Sequence, residues 1–129
     1  MNAGPELWCG GIRIAREVRD AGGWGGRALG LMGRKSWPAG VALRIRNCGS
    51  IHTCFMRFAL DVVFLDADHR IVRVIRGLRP WRMAWGGRAA RTALEWTAGS
   101  LPDEGLHPGD RADESGREAR KAPSPSVRQ

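Results

Sequence analysis

His52, Cys54, Arg57 and Asp61 fall within ten residues of one another, beside an apolar run from Phe58 to Leu65. A histidine with a carboxylate is the raw material of general acid–base catalysis: the imidazole moves the proton and the carboxylate fixes its tautomer. An arginine nearby can hold an oxyanion through two parallel hydrogen bonds. Arg34, His52, Met56, Arg57 and Asp61, the polar and thioether residues beside the core run, therefore make the candidate ligand-binding set. Two functions use it. One is a non-enzymatic module that binds a small anionic ligand or a partner protein, with Arg34 and Arg57 clamping the anion and His52 orienting it. The other is a small hydrolase or lyase working through His52 and Asp61. A purely structural role is the third reading, with His52 and Asp61 satisfying backbone groups at strand ends and Arg57 paired to Asp61. Binding is preferred to catalysis, and no catalytic residue is assigned.

Other chemical templates fit poorly. Cys54 follows His52 by two, so in extended chain the side chains share a side about 6–7 Å apart, too far for direct proton transfer. A buried, inert thiol fits better. Cys48, His52, Cys54 and Asp61 are the closest set of metal-ligand types, but a hydrogen-bonded structural histidine explains His52 more simply. No metal and no cofactor is assigned. Gly30-Leu31-Met32-Gly33-Arg34-Lys35-Ser36 lacks the spacing of a phosphate loop and the strand that should precede one. Asp66-x-Asp68 reads as a turn, because Arg70 stands where a calcium loop needs another oxygen donor. Gly49-Ser50-Ile51 has no second glycine for a nucleophile elbow. The tryptophans at 8, 24, 37, 81, 85 and 96 lie near Arg27, Arg34, Arg79 and Arg82. That interleaving suits a groove for single-stranded nucleic acid. Six tryptophans equally cap a small β domain, so nucleic acid stays a minor reading.

These residues must be positioned by strands. Leu7-Trp8-Cys9 and Ile12 to Val18 flank Gly10-Gly11 and read as a hairpin. Val41 to Arg46 alternates like a half-buried strand, and Phe58 to Leu65 reads as a central strand covered on both faces. Asp66 to Arg70 is a hairpin turn leading into Ile71 to Arg76, and Thr92 to Trp96 is one more strand. Arg27 to Arg34 is expected as a short helix closed by Gly33, and Leu101 to Leu106 as a short helix or turn. The expected fold is mainly β: a single small β-sandwich or barrel with one or two short helices.

The chain has 129 residues and a formal charge of +8. It fits one domain over residues 1–110. Residues 111–129 carry too little apolar area to order themselves and are expected to be a disordered tail. The positive charge is spread along the chain, without a block of like charges. Arginine supplies nearly all of it, which admits anionic partners. Three cysteines without a CxxC pair argue against a disulfide framework. With no signal-type start and no apolar window long enough to span a membrane, the expectation is a cytoplasmic protein with no membrane contact.

The motifs occur in a specific order. Gly30-Leu31-Met32-Gly33-Arg34 precedes Ile51-His52-Thr53-x-Phe55-Met56-Arg57-Phe58, then Asp61-Val62-Val63-Phe64-Leu65-Asp66 and Leu78-Arg79-Pro80-Trp81. Leu94-Glu95, Ala98-Gly99 and Gly105-Leu106-x-x-Gly109-Asp110 follow. Over Ile12 to Asp110 this order resembles the domain of unknown function 192 family. The resemblance implies a compact, mainly β domain of bacteria and archaea with no established activity and no known cofactor. It also implies a departure at Ala59, where the family usually has proline; alanine restores an N–H and loosens the entry to the long strand.

Overall fold

The computed structural model describes residues 4–22 and 31–114. Ten strands appear in them: β1 Leu7–Cys9, β2 Ile12–Ala15, β3 Glu17–Asp20, β4 Val41–Arg46, β5 Ser50–His52, β6 Leu60–Leu65, β7 Ile71–Leu78, β8 Met83–Trp85, β9 Thr92–Thr97 and β10 Ala112–Asp113. They form a five-stranded sheet ordered β3-β4-β9-β6-β7, a three-stranded sheet ordered β10-β1-β2, and a two-stranded ribbon of β5 and β8. Every pair is antiparallel except β3 with β4.

Side-chain alternation splits the core across the five-stranded sheet. Val63 and Leu65 of β6 join Leu94 and Trp96 of β9 in a cluster completed by Leu7, Cys9, Ile14 and Ala112 of the three-stranded sheet. Leu60, Val62 and Phe64 point the other way, toward Leu43, Ile45 and Ala93. That second cluster is closed by Ile51 of β5, Ala84 of β8, and Leu31, Trp37 and Met56 from loops. All six residues of β6 are buried in consequence. Burying each large apolar side chain contributes about 1.5–3 kcal/mol, so β6 and β9 anchor both cores.

The architecture is layered like a sandwich, and its sheets do not close into the barrel held as an alternative. The described residues contain no helix. Leu101 to Leu106 is irregular; Pro102 lacks an N–H, and Gly105 sits at φ +95°, outside helical backbone. Half of the helix expected over Arg27 to Arg34 falls outside the described residues, and 31–33 forms a turn. The run Ile12 to Val18 is two strands rather than one. At Arg16 the chain crosses between sheets, with Arg16 N–H donating to Gly40 O at 2.9 Å and Arg16 Nε to Ala39 O at 3.0 Å. The sheet also runs past the boundary expected at Asp110: Ala112 is buried and β10 pairs with β1.

Candidate binding face

Thr53, wholly buried, ties together the loops at one end of the β5–β8 ribbon. Its N–H donates to Arg82 O at 2.8 Å, and its carbonyl accepts from Met56 N at 3.1 Å and Trp81 N at 2.9 Å. Its hydroxyl donates to Arg79 O at 2.7 Å and accepts from Arg82 N at 2.8 Å. One threonine thus welds the 53–56 turn to the 79–82 turn. Phe55 and Trp81 stand at corresponding points of these turns, both at φ +65°. Left-handed backbone is costly for bulky residues, of order 1–3 kcal/mol each, and persists only where surrounding bonds impose it. The Thr53 bonds do so here, and they hold the Phe55 and Trp81 rings 4.7 Å apart at 58°.

Both rings face water. Phe55 is 61% exposed, Trp81 57%, Met83 79% and Trp85 59%. Ribbon alternation explains the last two. Ile51 and Ala84 pair and turn into the core, so the flanking pairs His52 with Met83 and Ser50 with Trp85 turn out. Arg73 Nη1 donates to Trp85 O at 2.6 Å and braces that end of β8 from the neighbouring sheet.

Charge is segregated along the stretches of sequence that build this face. No Asp or Glu occurs from residue 21 to 60 or from 69 to 94, whereas the second span alone carries Arg70, Arg73, Arg76, Arg79, Arg82, Arg88 and Arg91. The carboxylates that follow these spans, Asp61 and Glu95, are both buried. The excess positive charge is therefore concentrated in two acid-free stretches and not spread evenly, as the overall count suggests.

The five candidate residues do not meet in one pocket. His52 is exposed on the ribbon, with its Nδ1 accepting from Cys54 N at 3.2 Å. Arg57 is exposed on the adjoining loop. Met56 is buried in the second core cluster. Asp61 is buried between strands, and its carboxylate is committed to backbone: Oδ1 accepts from Gly77 N at 3.0 Å, and Oδ2 from Gly99 N at 2.9 Å and Leu101 N at 3.3 Å. No ion pair among the described residues joins Asp61 to Arg57.

Arg34 belongs to a separate cleft of about 230 Å³ whose lining includes Arg19, Trp37 and Leu43. The Arg34 and Arg19 guanidiniums lie 5.2 and 5.3 Å from the Trp37 ring centre, within cation–π range. Trp37 is fixed by its own Nε1 donating to Val41 O at 2.8 Å and by Thr97 Oγ1 donating to Trp37 O at 2.6 Å. Arg19 is already paired with Glu17 at 2.8 Å. A second cleft, of about 300 Å³ and including Arg44, Arg46 and His69, lies elsewhere; Arg44 there is paired with Asp20 and Glu114.

Two polar residues of the core escape the sequence reading. One is Thr53, which the motif around His52 contains but does not single out. The other is Glu95, on β9 opposite Leu43 and Val62 and only 4% exposed. Burial pushes its carboxyl up to about 7, and no opposing charge or hydrogen bond among the described residues offsets that rise. A lone carboxylate inside the apolar run Thr92 to Thr97 is the signal that marks it. Among the described residues no three His, Cys, Asp or Glu side chains converge as metal ligands, and no helix is long and apolar enough to cross a membrane.

The fold and these motifs have relatives. The model of the domain of unknown function 192 family, described as an uncharacterized ACR, matches residues 11–113. The chain belongs to that family. Among similar sequences, a UPF0127 protein of Pyrococcus furiosus is 37% identical over 106 residues, spanning 78% of this chain and 89% of the relative. A UPF0127 protein of Pyrococcus horikoshii is 42% identical over 86 residues, spanning 64% and 74%. The solved structure of a protein of unknown function from Novosphingobium aromaticivorans superposes with a TM-score of 0.72 at 17% identity, covering 84% of this chain and 83% of that one. One from Sinorhizobium meliloti, described as a "putative transcription regulator", gives 0.69 at 20% identity and covers 90% and 98%. At these identities the structural likeness speaks for the fold alone. This member of the family therefore combines the shared layered core with the aromatic and arginine-bearing face set out above.

Proposed function

We propose that this domain is a non-enzymatic binding module that receives an anionic partner on the outer face of β5 and β8 and the loops at their end. One observation carries the reading: four large apolar side chains are exposed on a surface built from acid-free, arginine-bearing segments. Exposed aromatic groups of this kind mark interaction surfaces, and unopposed arginine draws a polyanion toward them. His52 and Arg57 contribute to this face, while Thr53 and Met56 position it from beneath. The hydrolase reading finds no support, because the Asp61 oxygens are occupied by three backbone N–H groups instead of the His52 ring. An odd number of cysteines with no CxxC pair fits a reducing compartment, so we assign the work to the cytoplasm.

The test is binding of the full chain to heparin across a salt series. Arg79→Ser and Arg82→Ser should each weaken binding and flatten its salt dependence by roughly one counter-ion per lost contact, while Arg13→Ser, on β2, should not. Equal binding by all three variants would sink the assignment.

A second reading, of a small anion held in the Arg34 cleft, is favoured by the two guanidiniums on Trp37. Phosphate at about 100 times its dissociation constant would add close to 2.7 kcal/mol to stability, and Arg34→Ala should erase that gain. No shift with phosphate would dispose of it.

A further inference from the structure

Resting on the reading of this face as the anion-binding surface, we propose that its ligand is single-stranded nucleic acid, with unpaired bases stacked on Trp81–Phe55 and Trp85 and phosphates held by Arg79 and Arg82. Each part of the face has a counterpart in such a strand. The rings offer exposed π surface at fixed positions, because Thr53 and the strained turns leave Phe55 and Trp81 little freedom to rearrange. Preformed rings of this kind bind bases without regard to sequence, since every base has a π face. Trp85 and Met83 sit two residues apart on β8, about 6.8 Å along the strand. That is twice the roughly 3.4 Å rise of stacked bases, a spacing for a splayed strand whose bases have left their own stack.

Duplex does not suit this surface, because its bases are already paired and stacked and present no free ring. An acidic protein segment would satisfy the arginines but makes no use of the stacked pair. The absence of any Asp or Glu from residue 69 to 94 means that no carboxylate of these loops competes with phosphate for Arg79 and Arg82.

Fluorescence polarisation of the full chain with a labelled 15-nucleotide oligo-dT tests this. Comparison probes are an abasic strand of equal length and a 15-base-pair duplex, with heparin as the base-free polyanion. Oligo-dT should bind at least tenfold tighter than the abasic strand and tighter than the duplex. Trp81→Ala and Trp85→Ala should each weaken oligo-dT binding roughly 5- to 150-fold, the effect of losing one stacked base, and weaken binding of base-free heparin by a smaller factor. Both side chains are solvent-exposed, so the variants should melt with the parent, and the abasic comparison needs no variant at all. Equal affinity for oligo-dT and the abasic strand, or preference for duplex, would overturn the nucleic-acid assignment while leaving the anion-binding face intact. Failure to bind heparin and every oligonucleotide would overturn both.

Discussion

Asp61→Asn separates a structural carboxylate from a working one. The carboxylate accepts three backbone N–H groups, one on Oδ1 and two on Oδ2, and so ties β6 to Gly77 in β7 and to the turn after β9. An asparagine keeps one acceptor oxygen and turns an NH2 toward donors on the other side. At least one charge-assisted bond is lost, worth about 1.5–3 kcal/mol, and a buried donor is left facing a donor. The expected destabilisation is about 2–4 kcal/mol, or roughly 10–20 °C in Tm for a domain of this size. Thermal unfolding followed by circular dichroism at neutral pH measures it, and heparin binding well below Tm should be unchanged. His52→Ala is the contrast: its ring is exposed and accepts one backbone N–H, so the loss should be no more than about 0.5 kcal/mol. An Asp61→Asn variant that melts within about 2 °C of the parent would refute the anchoring argument. One that keeps its stability but loses the ligand would return Asp61 to the binding site.

The buried carboxyl of Glu95 makes stability fall with rising pH. In the unfolded chain it ionises near 4.5, whereas in the fold it holds its proton to about 7. The penalty is absent below pH 4.5, grows between 4.5 and 7, and is constant above, reaching an order of 3 kcal/mol. Glu95→Gln should therefore out-melt the parent at pH 8 and match it near pH 4; an equal difference at both would disprove the assignment. Cys9 is pushed up to about 12 by burial and by the nearby Asp110 and Asp113 charges, so it should resist iodoacetamide in the native state and react only on unfolding. Mass-spectrometric mapping of native-state alkylation would decide, with rapid labelling of Cys9 as the contrary result.

The long strands were legible because their patterns are strong. Leu43 to Arg46 alternates, Leu60 to Leu65 is apolar but for Asp61, and the Asp66 turn announces itself, with Asp66 Oδ1 accepting from Asp68 and Arg70 N–H. Strands of two or three residues carry no period to detect, so β8 is not visible in the sequence and β10, with one small buried alanine, falls in the segment expected as tail. The site was harder for a related reason. Composition cannot distinguish Trp96, fully buried, from Trp81, held outward by left-handed backbone. Nor can it tell that the hydroxyl of Thr53 governs its loop more than the imaginable chemistry of His52. The partners of Thr53 lie 26 and 29 residues away, beyond any local pattern. Asp61 stands out in the sequence as a carboxylate in an apolar run, but the hydrogen-bond donors that explain it come from β7 and from the turn after β9.

The pairing of β1 with β10 bears on how the molecule is made. The strand begun at Leu7 cannot complete its sheet until Ala112 and Asp113 have been synthesised, almost the whole described chain later. A nascent chain must therefore leave Leu7 and Cys9 without this strand partner until roughly a hundred further residues have been made. Topologies that defer so long-range a contact fold slowly and spend time with an open strand edge. Synthesis rate and chaperone access, rather than final stability, then govern the yield of native protein.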